Sequence, residues 1–417
     1  MFYVRYEGRK FFRLLDGCKY YRDRVFKEQL EDGSYRRDTH FFLKHRLELT
    51  GPEFTLLGIR PEMQVRYAGK GDAQEAVLIG GTLFRRNEWV TVPIDFDSRG
   101  DHGADMFMVL GFDFKSPAMT KSDLSEVQDG ETILVLRRYG GLGDIVMQSM
   151  IFPDIRRQFP HSKIIYAIPK NFHALFEHCT AIDEIMDSAD VDGVLPRLIV
   201  SGKYDFIGDI SISCARYEVL SIHARGRVDK ERPDIWAESM GLTLQAHETC
   251  MRLSSAEIEM ADLYADHIGI VPCSAAGGRN YPHVQALIDG IVKRGYKALL
   301  IHSDDIPVKG CDKLIRPDLR TLMAACSGMK AMLAVDTGPM HIAGVFGTPL
   351  VGIFGVTDSR VRLSYYNAVA IQGECVKGKE PCWHDQASFC GRDSSGIAAC
   401  MYVEPKVIFA ALEGLLA

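Results

Sequence analysis

The spacing of hydrophobic positions changes near residue 130. Before it, short apolar runs punctuated by Gly and Asp predict strands at 2–6, 53–58, 65–67, 76–80 and 90–94, because β-branched and aromatic residues between turn formers suit a half-buried pleated surface. Residues 1–115 therefore read as a mostly β accessory domain, and the polar stretch 116–130 as a linker. Beyond it, nearly continuous apolar runs alternate with helical spacing, the pattern of parallel strands with crossover helices. In the first such unit, residues 131–255, Thr132 to Leu136 and Lys163 to Ile168 predict buried strands on either side of a helix from Asp144 to Phe159. In the second, residues 256–417, predicted strands at 267–271, 298–302 and 331–335 alternate with helices near 282–294 and 318–327, and a last strand follows Gly347. The expected fold class is α/β, with two Rossmann-like domains facing a cleft. Ligands of such sheets bind beyond the carboxyl ends of the strands, so the active residues are expected in the loops that follow them.

Composition narrows the class. The 417 residues are 47% hydrophobic and 25% charged, enough for two or three domain cores. A net charge of −6 excludes non-specific nucleic-acid binding by the molecule as a whole. No run of 18 apolar residues occurs, and Met1 to Tyr6 lacks a signal-peptide core, so a cytoplasmic protein without a membrane span is expected. Seven of the eleven cysteines are scattered singly and read as buried thiols. The other four, Cys375, Cys382, Cys390 and Cys400, share the loop 375–400. Four thiolates could hold one tetrahedral structural metal, Fe or Zn; free thiols and disulfides are the alternatives.

Candidate chemistry lies in the predicted loops. Asp336, Thr337, Gly338, Pro339, Met340 and His341 form a small-residue turn that opens a helix. The unpartnered first-turn amides of such a helix attract phosphate, and proline sits there at no cost in hydrogen bonding. His341 could equally be a core histidine. Arg279, in the loop from Ser274 to Pro282, could neutralise a diphosphate or be solvated. Ser303, followed by Asp304 and Asp305, could contact a ribose or cap the next helix. Two phosphate-capable loops in one unit point to a nucleotide diphosphate. Walker and kinase motifs are missing, which makes the phosphates a leaving group. In the first unit Gly140, Gly141 and Gly143 precede Asp144 without the G-x-G-x-x-G spacing of a dinucleotide site. Asp144 reads either as a helix N-cap or as a carboxylate base facing the cleft.

Over residues 131–417 these blocks resemble the heptosyltransferase family of inverting GT-B glycosyltransferases. The resemblance implies a nucleotide-diphosphate sugar donor, ADP-heptose above all, and an acceptor hydroxyl on a protein or glycan. It implies Asp144 as general base, Gly140, Gly141 and Gly143 in the acceptor-side loop, Thr337, Gly338, Met340 and His341 at the donor diphosphate, and no catalytic divalent metal. Where the family usually has K-x-W-P, this chain has Arg279-Asn280-Tyr281-Pro282. A subgroup that modifies autotransporter proteins is similar in having an extra N-terminal β region and a cysteine-bound iron. The β domain offers an assembly surface, so a homo-oligomer is an expectation. Two rival readings stand beside this one. A transferase could act on nucleic acid through the basic, aromatic stretches 9–13 and 19–24, or the chain could be a non-catalytic nucleotide-sugar-binding scaffold.

Overall fold

In the computed structural model, residues 121–417 are described apart from 122, most of 193–202, 276 and 376–395; before residue 121 only eight strands are described. Of these, β1 (Phe2–Tyr6), β2 (Arg9–Leu14), β5 (Glu62–Tyr67) and β8 (Trp89–Pro93) form an antiparallel sheet in the order β2-β1-β5-β8. The two-residue strands β3 (Glu28–Gln29) and β4 (Tyr35–Arg36) pair with each other, as do β6 (Ala76–Ile79) and β7 (Thr82–Arg85). The strand expected at 53–58 lies outside the described residues.

The first α/β lobe holds β9 (Thr132–Leu136), β10 (Lys163–Ile168), β11 (Glu184–Asp187) and β12 (Phe206–Asp209), all parallel, in the order β11-β10-β9-β12. Its helices are α1 (Leu142–Gln148), α2 (Phe152–Gln158), α3 (Ser188–Asp192), α4 (Ser213–Arg225) and α5 (Arg232–Glu238). The single helix expected from Asp144 to Phe159 is thus two. Pro153 explains the break, because its ring would clash with the carbonyl four residues back, that of Ser149. That carbonyl instead accepts the Cys250 N–H at 3.1 Å.

The second lobe follows α6 (Ser255–Asp262), which opens with a capping box between Ser254 and Glu257. Its strands are β13 (His267–Val271), β14 (Lys297–His302), β15 (Asp312–Ile315), β16 (Ala331–Val335), β17 (Leu350–Phe354) and β18 (Ala368–Gln372). The helices are α7 (Val284–Lys293), α8 (Leu319–Gly328), α9 (Gly338–Val345) and α10 (Pro405–Leu416). The parallel order β15-β14-β13-β16-β17-β18 is the doubly wound 3-2-1-4-5-6 arrangement, and the first lobe repeats its 3-2-1-4 part. Each sheet therefore has one point where strand order reverses, between β9 and β12 and between β13 and β16. One apolar cluster, with Val135 and Ile145 from the first lobe and Met323 and Met340 from the second, runs through both lobes. Among the described residues no helix is long and apolar enough to cross a membrane.

Candidate active site

At each reversal of strand order an arginine reaches across. Arg137, just past β9, is 2% exposed and donates to the carbonyls of Ile210 (3.0 Å) and Ser211 (2.7 Å), which follow β12. The same guanidinium donates to Asp144 at 2.9 Å. Gly140 makes room for it: its φ is +152°, and a Cβ there would lie 3.0 Å from Arg137 Nε and Nη2. In the second lobe Arg279, in a 3-10 turn (Gly277–Arg279) after β13, donates to Asp336, just past β16, at 2.9 Å. Its buried Nε has no hydrogen-bond partner among the described residues.

Asp144 is not the cap of its helix. Gly141 is the N-cap, and Asp144 lies in the first turn, where the helix dipole favours an anion. A second guanidinium, that of Arg232 at the start of α5, binds its other oxygen at 2.5 Å. Arg232 also forks onto Glu218 of α4 (2.7 and 3.0 Å), and Arg362 of the second lobe reaches Glu218 at 3.4 Å. Burial by itself would raise the pKa of Asp144. The charges of Arg232, then Arg137, outweigh it and hold the carboxyl far below the usual range. These five groups, three guanidiniums and two carboxylates, sum to one positive charge.

The donor-type loop faces this cluster. Thr337 is the N-cap of α9 but makes no side-chain capping bond, and Pro339 lies in the first turn. The amides of Gly338 and Met340 are therefore left for another acceptor. His341 is 2% exposed, and both ring nitrogens face protein groups: Nε2 lies 3.4 Å from Asp336 and Nδ1 lies 3.1 Å from the Tyr366 hydroxyl. These partners assign the proton to Nε2, with Tyr366 donating to Nδ1. Asp336 is 6% exposed. Burial pushes its pKa up, but the His341 hydrogen bond and the Arg279 and Arg362 charges hold it well below the carboxylate range.

The first turns of α1 and α9 pack on each other through two glycines. A Cβ on Gly143 would lie 2.8 Å from His341 Cδ2, and one on Gly338 would lie 2.7 Å from Leu142 Cγ. Asp144, next to Gly143, is thereby brought beside the Asp336 to His341 loop. Ser303 stands apart at the exposed end of β14, where its hydroxyl donates to Asp304 at 2.9 Å and Arg316 binds the Ser303 carbonyl and the Asp304 carboxylate. Cys382 and Cys390 lie outside the described residues. Of the other two, Cys400 is buried, and Gly373, two residues before Cys375, packs on the Cys400 carbonyl. No group of three or more metal-type side chains is found among the described residues.

Four members of this constellation were not legible in the sequence. Arg232, Glu218 and Arg362 sit in no motif and reach their partners over sequence separations of 88 residues for Arg232–Asp144 and 144 for Arg362–Glu218. Glu231, whose carboxylate accepts the Ser364 N–H across the lobes at 3.0 Å, is the fourth.

Residues 234–391 match the family model described as glycosyltransferase family 9 (heptosyltransferase). Among solved structures, the fold resembles a glycosyl transferase family 9 protein from Veillonella parvula DSM 2008, with 17% identity, a TM-score of 0.54, and coverage of 70% of this chain and 98% of that one. It also resembles the iron-containing dodecameric glycosyltransferase TibC from enterotoxigenic E. coli H10407, with 14% identity, a TM-score of 0.51, and coverage of 69% and 79%. No curated protein sequence matches the chain.

Proposed function

For a chain that carries a glycosyltransferase family 9 (heptosyltransferase) domain over residues 234–391, we propose an inverting transfer of a sugar, a heptose, from a nucleotide-diphosphate donor to a hydroxyl on a protein or glycan. The observation that carries this reading is the contact of Gly143 with His341, which sets a carboxylate of one lobe against an anion-ready helix start of the other.

An alcohol is a poor nucleophile at neutral pH. Asp144, kept ionised by Arg232 and Arg137, takes the proton of the acceptor hydroxyl as its oxygen attacks the anomeric carbon. A positioned base of this kind is worth ~10²–10⁴-fold in rate. The oxygen linking sugar to phosphate leaves with the bonding pair. Arg279 and the free amides at the start of α9 stabilise the charge that builds on the diphosphate, without a divalent metal. Asp336 holds Arg279 in place, and His341, with both nitrogens engaged, supports Asp336 rather than the phosphates. Ser303, one strand away, belongs to the nucleoside end of the donor.

The reading predicts that the purified protein, given labelled ADP-heptose and other nucleotide sugars with protein and glycan acceptors, releases nucleoside diphosphate in step with glycosylated product. Tight binding of a nucleotide sugar with no product would instead identify a scaffold. We also assign Cys375, Cys382, Cys390 and Cys400 to one structural Fe or Zn, supported by the packing of Gly373 on Cys400, which gathers the ends of the loop. Metal analysis of protein purified without chelator should then find about one equivalent, since four thiolates complete a tetrahedral site.

A further inference from the structure

Arg279 is held less by its side chain than by its backbone. Among the described residues its guanidinium makes one bond, to Asp336 at 2.9 Å, and its buried Nε makes none. The loop that carries it is tied to itself: the Tyr281 N–H donates to the Pro272 carbonyl at 2.8 Å, and the Ser274 N–H to Asn280 Oδ1 at 2.9 Å. Two further bonds come from far along the chain and flank Arg279. The carbonyl of Gly278, one residue before it, accepts the Ala398 N–H at 3.2 Å. The hydroxyl of Tyr281, two residues after it, donates to the Val403 carbonyl at 2.8 Å, and Tyr281 is 2% exposed.

Ala398 is the N-cap of a 3-10 turn, Ala399–Met401, and both Ala398 and Met401 are fully buried. One apolar cluster contains Tyr281, Ala398, Cys400 and Met401. A Cβ on Gly355, just past β17, would lie 2.6 Å from Met401 Sδ and 2.7 Å from Cys400 Sγ, and one on Gly373, just past β18, would lie 1.7 Å from the Cys400 carbonyl oxygen. Only glycine at these two strand ends leaves room for the turn. It is seated across the carboxyl ends of β17 and β18 and reaches the loop after β13, in a close-packed setting that transmits strain.

We propose that the segment 398–403 is the positioning element of Arg279. Through Gly278 and Tyr281 it fixes where the guanidinium stands, and a change in how this cysteine-bearing turn is seated is felt there as a change in nucleotide-diphosphate affinity. The identity of the ligand rests on the transferase reading; the coupling rests on the two hydrogen bonds. A long side chain that must be ordered on binding spends part of its interaction energy on lost freedom. A backbone placed in advance reduces that loss, so the segment acts on affinity without touching the ligand.

The test measures ADP affinity by calorimetry and amide hydrogen exchange in the full chain. Tyr281→Phe keeps the ring and removes the donor to Val403. Ala398→Pro removes the N–H and sets a ring carbon against the Gly278 carbonyl, at a residue whose φ of −68° suits proline. Each variant should speed exchange in the loop 274–281 while β13 and β16 stay slow, and should weaken ADP binding by about two- to tenfold, as the loss of one neutral hydrogen bond allows. Because the segment acts through Arg279, adding Tyr281→Phe to Arg279→Ala should cost no further affinity. Additive losses would overturn the positioning role. So would parent-like exchange of the loop in both variants, or faster exchange spread evenly over the lobe, which is a plain loss of stability. Failure of the parent to bind ADP, or binding that Arg279→Ala leaves unchanged, would count against the transferase reading instead, and the exchange of the loop would then judge the segment by itself.

Discussion

The two reversals of strand order use the same device to different ends. Both place an arginine from the loop of a central strand against the loop of the neighbouring strand. Arg137 makes three hydrogen bonds, to two carbonyls and Asp144, and is 2% exposed; its buried Nε has no partner among the described residues. Arg279, 18% exposed at its side chain, has a single carboxylate and a buried Nε without a partner among the described residues. A guanidinium with both outer nitrogens bonded and almost no exposure positions other groups, whereas a more exposed one with a single bond can take up an anion. On the proposed reading the first lobe frames a carboxylate and the second keeps a charge that a ligand could reach.

Substitutions can break this comparison. The largest effect is expected from Asp144→Asn, which should lower transfer by ~10²–10⁴-fold and leave nucleotide affinity in place; steady-state turnover beside a calorimetric titration reads both, and unchanged turnover would remove Asp144 from the chemistry. Next come the arginines themselves. Arg137→Ala leaves Asp144 with Arg232 alone and deprives the Ile210 and Ser211 carbonyls of their donor, so it should lower stability by about 1–3 kcal/mol and show as a fall in melting temperature. Arg279→Ala takes one partner from the buried Asp336, which keeps His341, so melting should fall modestly; nucleotide-diphosphate binding should also weaken, by roughly ten- to a hundredfold if Arg279 makes charge-assisted hydrogen bonds of about 1.5–3 kcal/mol. If both variants lose only stability, or both lose only affinity, the division of labour is wrong.

A subtler change is Arg232→Lys, which replaces a forked guanidinium by a point charge. The pKa of Asp144 is depressed, so its contribution to stability is complete above the ordinary aspartate value and is lost as pH falls through the lower folded value. Weakening Arg232 should move the acid limbs of both kcat/KM and stability to higher pH. Coincident pH profiles for variant and parent would show that Arg137 alone sets the charge. The smallest effect is expected from Gly143→Ala. Its methyl would meet His341 Cδ2 at 2.8 Å, at a cost of about 1–3 kcal/mol for overpacking, shared between melting temperature and donor affinity.

What could be read from the residues was local. The strand, small-residue turn and proline around Asp336 to Pro339 lie within a few positions of one another, and hydrophobic runs announced β9, β10, β13, β14 and β16. Pro153 carried the signal that α1 and α2 are separate helices, and the apolar spacing from Asp144 onward masked it. The partners of Asp144 could not be read in this way. Arg232 comes from another helix, is itself held by Glu218 of a third, and only the closed fold brings it to Asp144. His341 shows the opposite limit: its motif names it as part of the turn that opens α9, but only geometry shows both ring nitrogens already engaged.

Helix α5 has one remaining consequence. Within its opening residues Glu231 accepts the Ser364 N–H, Arg232 grips Asp144, and Asp234 binds both the Tyr365 hydroxyl and His247 Nε2. Ser364 and Tyr365 belong to the second lobe. A swing of that lobe would tug on the same helical turn that carries Arg232, as a rocker turns about its pin. On the proposed reading, any change in how far the two lobes stand apart would act on Asp144 through the turn that carries Arg232.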